Sequence, residues 1–214
     1  MFASIYDILM EDVDYKALLE QFKPYLNKNK TILDAGCGTG YFLKELLEQG
    51  YDAIGLDKDS DMLKIARDKL LNLDLPQPLY EHDLRKPLNA QFDLIFCLFD
   101  VINYFKGAKT VFNHMYQALN ENGVFIFDVY HKDQIKQYHL YEESDIDPIE
   151  YHWKMTYHEP ILSHTITVNK IAYQMKQYVY DQTYYTELLT ALKFKNIQFY
   201  QGIDPRKIVI VAYK

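Results

Sequence analysis

Glycine is scarce in this chain, eight residues in 214, and there are only two cysteines and one tryptophan. So little glycine excludes collagen-like and low-complexity chains. Cys37 and Cys97 lie far apart with no C-x-x-C, so neither a disulfide scaffold nor a zinc centre is signalled. No window approaches the roughly 18 consecutive apolar residues of a membrane span. The opening MFASIYDILMEDVDY lacks the basic start and apolar stretch of a signal peptide, which points to a cytoplasmic protein with no membrane partner. Positive charge is also short: 23 Lys+Arg stand against 30 Asp+Glu, net −7, and no dense basic run occurs. The electrostatic footprint of a nucleic-acid binder is therefore missing, and no nucleic-acid partner is expected. With 49% apolar and 25% charged residues the chain is an ordinary globular one, long enough for one generous domain.

Three of the eight glycines fall together, at Gly36, Gly38 and Gly40. Before them Lys30 to Asp34 is strand-like. After them Phe42, Leu43, Leu46 and Leu47 repeat at helical spacing up to Gly50, a C-cap signal. Tyr51 to Asp57 reads as a second strand. Asp59-Ser60 then caps a helix carrying Met62, Ala66 and Leu70. A third strand is expected near Leu79 to His82, and Phe92 to Leu98 has the unbroken apolar character of a strand buried on both faces. Phe112, Met115, Tyr116 and Leu119 form a helical stripe ended by Asn122-Gly123, with a fifth strand from Val124 to Val129. This alternation predicts βαβ units and a parallel sheet. Phe2 to Phe22 reads as one amphipathic helix.

From Tyr130 to about Tyr180 the chain has no glycine, and its period changes to two. Tyr151, Trp153, Met155 and Tyr157 share one strand face; His152, Lys154, Thr156 and His158 share the other. Glu159-Pro160 marks a turn, Leu162, His164, Ile166 and Val168 continue on a second strand, and Ala172 to Tyr180 supplies a third. The pattern is that of an antiparallel insertion. A short helix from Thr186 to Leu192 and two strands, Ile197 to Tyr200 and Ile208 to Ala212, complete the reading.

A strand, a glycine-rich turn and a helix bring free backbone N–H groups to a nucleotide-like ligand. Here Asp34-Ala-Gly36-Cys-Gly38-Thr-Gly40 departs from the dinucleotide fingerprint: Tyr41 stands where G-x-G-x-x-G needs its third glycine. Asp34 ends the first strand, where a carboxylate suits a ligand carrying positive charge better than a pyrophosphate. S-adenosylmethionine, with a sulfonium, an ammonium and no phosphate, is such a ligand. Asp57 ends the second strand, 21 positions after Gly36, where a carboxylate accepts hydrogen bonds from ribose hydroxyls. Asp83 follows the third strand and is placed to accept from an adenine amine.

The runs ILDAGCGTG, IGLDKDSDML, HDLR, FDLIFCLFDVINY and ALNENGVFIFDVY resemble the successive motifs of class I SAM-dependent methyltransferases over about residues 30–130. SIYDILMEDVDY, Trp153 and Leu162-Ser-His164 resemble a branch of small bacterial members whose substrates are undefined. Near the C-terminus Leu192-Lys193-Phe194 stands where the resemblance has Ala-Gly-Phe. The resemblance implies an α/β Rossmann-like sheet of seven strands, order 3-2-1-4-5-7-6, with the antiparallel insertion after the fifth. It also implies a single domain, 1–214, with an N-terminal lid over 1–24 and a substrate cap over 131–182. For cofactor binding it implies Asp34, Gly36, Gly38, Gly40, Asp57, Lys58, Met62, Asp83, Leu84, Leu98, Tyr6 and Tyr15. Leu98, Phe99 and Asp100 follow the fourth strand, where the superfamily presents the methyl to its acceptor.

Asp100 either faces the acceptor as a catalytic residue or holds the Asn103-Tyr104 turn; His164 is either a pocket base or a core histidine. Five of the seven histidines lie between His131 and His164 without metal-ligand spacing, so no metal is expected. The acidic N-terminus and absent basic patch favour a small-molecule or protein acceptor. The insertion is read as the acceptor cap, with a homodimer surface as its alternative use. Two rival functions stand beside methyl transfer: an NAD-dependent oxidoreductase and a non-enzymatic SAM-binding regulator.

Overall fold

The computed structural model describes residues 2–137 and 140–214. The N-terminal segment forms two helices, α1 (Phe2–Leu9) and α2 (Tyr15–Phe22), rather than the one expected. The acidic stretch between them turns the chain, and Asp14 restarts it as an N-cap, its carboxylate accepting the Ala17 N–H at 2.9 Å. The chain then enters β1 (Thr31–Ala35), α3 (Tyr41–Glu48), β2 (Asp52–Asp57), α4 (Ser60–Asn72), β3 (Leu79–Glu81), β4 (Phe92–Cys97), α5 (Lys109–Ala118) and β5 (Leu119–Tyr130). Asp59 caps α4 as its sequence indicated, accepting from Asp61 and Met62. The strand β5 starts five residues earlier than expected: Asn122-Gly123 is not a helix end but an irregularity within the strand, where pairing to β4 jumps from Leu119 to Val124. Asn122 takes a left-handed φ of 63° there.

Beyond β5 come α6 (Lys132–Gln137) and four strands, β6 (Leu140–Asp145), β7 (Tyr151–His158), β8 (Ile161–Val168) and β9 (Ile171–Tyr178). They form an antiparallel meander, β6-β7-β8-β9, of four strands where three were expected. The sequence hid β6 because its acidic residues, Glu142, Glu143 and Asp145, mask the alternation. Then follow α7 (Gln182–Ala191), β10 (Lys195–Gln201) and β11 (Lys207–Tyr213). The helix α7 begins four residues before the expected start, because Asp181 caps it by accepting the Tyr184 N–H. At its end Lys193 adopts φ 72°, the conformation a glycine would take at lower steric cost.

The main sheet has the order β10-β11-β5-β4-β1-β2-β3, the topology the resemblance implied. Strands β1 to β5 run parallel, and β11 pairs antiparallel to β5 and β10. Alternate residues of the central strands feed two cores. Ile32, Leu94, Phe96 and Ile126 pack with Phe22, Phe42, Leu46 and Ala66 on one face. Leu33, Ile95, Phe125 and Phe127 pack with Phe112, Met115, Tyr185 and Leu189 on the other. Burial on both faces explains the unbroken apolar runs. The carboxyl ends of β1, β2, β4 and β5 therefore share one edge, and the four-stranded cap rises beside it. Between them sits α1. Its Ile5 packs against Ile166 and Val168 of the cap, and the Phe2 and Tyr173 rings lie 5.1 Å apart. Its Asp7 pairs with Lys69 of α4 at 2.6 Å.

Candidate functional site

At the end of β1 the Asp34 carboxylate is buried, 3% exposed, and its Oδ2 has no hydrogen-bond partner among the described residues. Burial, seconded by the nearby Asp57 charge, pushes this carboxyl up to about 7. A buried acceptor without a donor is costly, so this atom calls for a partner.

The glycine loop wraps this point. The Gly36 and Cys37 N–H groups donate to the Leu56 carbonyl at 2.7 and 2.9 Å, which ties the loop to the end of β2. The Gly38 N–H donates to Asp57 Oδ2 at 2.9 Å, and the Asp59 N–H to Asp57 Oδ1 at 2.9 Å. One carboxylate thus orients the loop and the start of α4 together. Gly40 is glycine for two reasons. Its φ is 79°, and a Cβ there would lie 2.9 Å from the Ala66 Cβ, so α3 and α4 could not approach so closely. At Gly38, φ 52°, a Cβ would meet the Tyr6 Cε1 at an ordinary 3.8 Å. The Tyr6 ring of α1 is therefore set over the loop.

The other expected residues take different stations. Lys58 is exposed and Met62 half-buried at the start of α4. Asp83 is held by Arg85, whose Nε lies 2.9 Å from Oδ1, and this guanidinium keeps the carboxyl well below its ordinary range. Leu84 and Leu98 are core side chains, 5% and 2% exposed. Tyr15 stacks on Tyr41 at 4.8 Å and spends its hydroxyl on the Met10 carbonyl, so its ring fastens α2 rather than presenting a polar tip. Among the described residues no group of three or more His, Cys, Asp or Glu is arranged to hold a metal ion; His139 lies outside them.

Asp100 and His164, expected as separate candidates, belong to one buried network. After β4 both Phe99 and Asp100 adopt left-handed backbone, φ 58° and 53°. The Asp100 N–H donates to Asp128 Oδ1 at 2.6 Å. Its carboxylate pairs with Lys207 and accepts from the Gln177 amide. Gln177 Oε1 in turn lies 2.8 Å from His164 Nε2. Burial opposes the charge on Lys207, but Asp100 and Asp128 outweigh it and hold the ammonium above its usual range. Burial lowers the His164 value, so the ring is neutral near pH 7. Asn103, fully buried, donates to the Tyr178 carbonyl at 2.7 Å and accepts the Tyr130 N–H at 3.1 Å, stitching the turn after Asp100 to β5 and β9.

Sequence reasoning missed Lys207, Asp128 and Gln177, and named Asn103 only as part of a turn. A signal existed for two of them. Gln177 has the inward parity of Tyr173 and Met175 on a half-buried strand, and Lys207 opens the apolar run KIVIVA.

Comparison with known proteins agrees with this geometry. Residues 9–198 match the family described as "Methyltransferase domain". The Bacillus subtilis protein named "Putative methyltransferase YqeM" is 30% identical over 161 residues, 72% of this chain. The match takes in 64% of that relative, so the chain spans slightly less than two thirds of its length. Among solved structures, an S-adenosylmethionine-dependent methyltransferase from Clostridium acetobutylicum superposes with a TM-score of 0.82 at 24% identity, covering 99% of this chain and 97% of its own. The sugar N-methyltransferase KedS8 from Streptoalloteichus superposes at 0.80 with 17% identity, covering 100% and 92%. The fold is that of S-adenosylmethionine-dependent methyltransferases, and the chain belongs to the methyltransferase domain family.

Proposed function

We propose that this protein transfers the methyl group of S-adenosylmethionine to a small-molecule or protein acceptor with an aromatic or amphipathic face. The observation that carries the reading is the unpartnered, buried Asp34 Oδ2 beside the glycine loop. It suits the cationic methionine end of the cofactor, and Asp57 suits the ribose hydroxyls. When bound, the cofactor supplies a methyl already activated for in-line displacement. The chain's own residues then have to align the acceptor and exclude water. In this reading α1 is a lid, with Tyr6 over Gly38, and the meander β6 to β9 is a cap. The hydroxyls of Tyr6 and Tyr130 make no hydrogen bond among the described residues, and both are raised by burial and by Asp100 nearby. They are neutral donors available to an acceptor.

Tyr41 in place of a third glycine and the charge of Asp34 argue against an NAD-dependent oxidoreductase. A SAM-binding regulator would leave these phenols without a partner. Among the described residues no helix is long and apolar enough to cross a membrane; a cytoplasmic site of action is part of the proposal. A homodimer through the cap has less support, since its outward face carries the exposed Glu142–Lys154 pair and His152. The test is titration with S-adenosylhomocysteine and with NADH. It is followed by incubation with radiolabelled S-adenosylmethionine and a panel of phenols, aromatic amines, amino sugars, peptides and bulk tRNA. S-adenosylhomocysteine binding without NADH binding, and label transfer to a small amphipathic acceptor, is the expected result. NADH binding, or transfer to tRNA alone, refutes it.

A further inference from the structure

Between cap and core runs a chain of buried hydrogen bonds whose direction is fixed. The Trp153 Nε1–H donates to His164 Nδ1 at 3.2 Å. With that nitrogen accepting, the neutral ring carries its proton on Nε2 and donates to Gln177 Oε1. The amide then turns its Nε2–H toward Asp100. A flipped amide would set its oxygen against the Asp100 carboxylate, acceptor facing acceptor. Gln177 is 1% exposed, His164 5% and Asp100 8%. One Asp100 oxygen is taken by Gln177 and the other by Lys207, so Asp100 has little freedom to act as a base. His164 has both nitrogens engaged as well. What the chain does is pin the left-handed Phe99–Asp100 corner, at the carboxyl end of β4, to β8 and β9 of the cap. A strained corner persists only where its surroundings over-determine it.

We propose that Gln177 is a positioning residue for methyl transfer, tying the cap to the Phe99–Asp100 corner so that Asp100 and its neighbours stand correctly beside the methyl. The proposal rests on the cofactor site described above. Among the described residues the charged or titratable groups facing this seam are Asp100, Asp128, Lys207, Arg206 and His164, with the phenols of Tyr6, Tyr104 and Tyr130 beside them.

Two variants test it. Gln177→Met removes both hydrogen bonds. Gln177→Glu restores them when the introduced carboxyl is protonated, its O–H donating to Asp100 and its carbonyl accepting from His164. In the folded protein that carboxyl binds a proton more tightly than in the unfolded chain, so the variant's stability falls as pH rises. Melting temperatures from pH 5.5 to 8.0 are expected to show Gln177→Glu near the parent at the acid end and several degrees below it at the alkaline end. The Gln177→Met deficit stays constant. The second readout is the carbon-13 resonance of S-adenosylmethionine labelled at its methyl group. It is expected to shift or broaden in Gln177→Met, and in Gln177→Glu only at pH 8.0, while affinity for S-adenosylhomocysteine stays within threefold of the parent. Parallel melting profiles of Gln177→Glu and parent, or an unchanged methyl resonance in both variants, overturn the proposal. Because Gln177→Glu is read at two pH values, it serves as its own control for folding. Labelled cofactor that fails to bind the parent refutes the cofactor reading instead, and the melting profiles still decide the link from His164 to Asp100.

Discussion

Cofactor binding should depend on pH through Asp34. Its carboxyl is held up to about 7 because it is buried and faces Asp57, and its Oδ2 has no hydrogen-bond donor among the described residues. A cationic ligand stabilises only the ionised form, so below pH 7 binding must expel a proton. Affinity should then fall toward tenfold per pH unit, roughly 16-fold between pH 7 and 5.5, or about 1.6 kcal/mol. The ligand-free protein responds in the opposite sense. A carboxyl whose folded value is raised above its unfolded one contributes stability that is fully present below about pH 4 and lost as pH rises through about 7. Asp34→Asn, of nearly equal shape, should therefore melt higher than the parent at pH 8 yet bind S-adenosylhomocysteine more weakly and without pH dependence over this range. Calorimetry from pH 5.5 to 7.5, in buffers of different ionisation enthalpy, measures both the affinity and the proton released. A flat affinity with no proton release, or an Asp34→Asn variant that keeps the parent's affinity, refutes the role given to this carboxylate.

Asp57→Ala should weaken S-adenosylhomocysteine binding by about 2–4 kcal/mol, since two charge-assisted ribose hydrogen bonds and the Gly38 anchor are lost together; calorimetric affinity within threefold of the parent would contradict it. Gly38→Val should melt cooperatively, yet the ligand should no longer raise its melting temperature, because a branched side chain at φ 52° fills the space under Tyr6. Lys207→Met should destabilise the fold by about 3–5 kcal/mol in urea, because Asp100 and Asp128 are left buried without their counter-ion. A loss below about 1 kcal/mol would mean that water reaches this pair.

The parallel core was legible because strands buried on both faces write themselves as apolar runs, and because glycines at 36, 38 and 40 punctuate an otherwise glycine-poor chain. The positions of Asp34, Asp57 and Asp100 followed from strand ends, which periodicity locates well. Asp100's partners did not follow. Lys207 reaches it from a strand 107 positions away and Gln177 from the cap 77 positions away, and a single sequence carries no sign of such pairings. The strand β6 was lost because acidic side chains at an exposed edge erase alternation. The Tyr15 hydroxyl is satisfied locally, five residues back, a contact no pattern of apolar spacing reveals.

Helix α1 touches both compartments: Tyr6 sits on the glycine loop, while Phe2 and Ile5 press on the cap. If the glycine loop holds the cofactor and the cap covers the acceptor, as proposed above, the two ligands do not have independent doors. Turning this helix away to admit one exposes the other, and restoring it requires Asp7 to find Lys69 again. On the reading of α1 as a lid proposed above, a single movement of this helix is expected to open both compartments. The expected slow step at saturation is then the unlatching of an eight-residue helix rather than the movement of a methyl group, seen as a burst of methylated product in the first turnover.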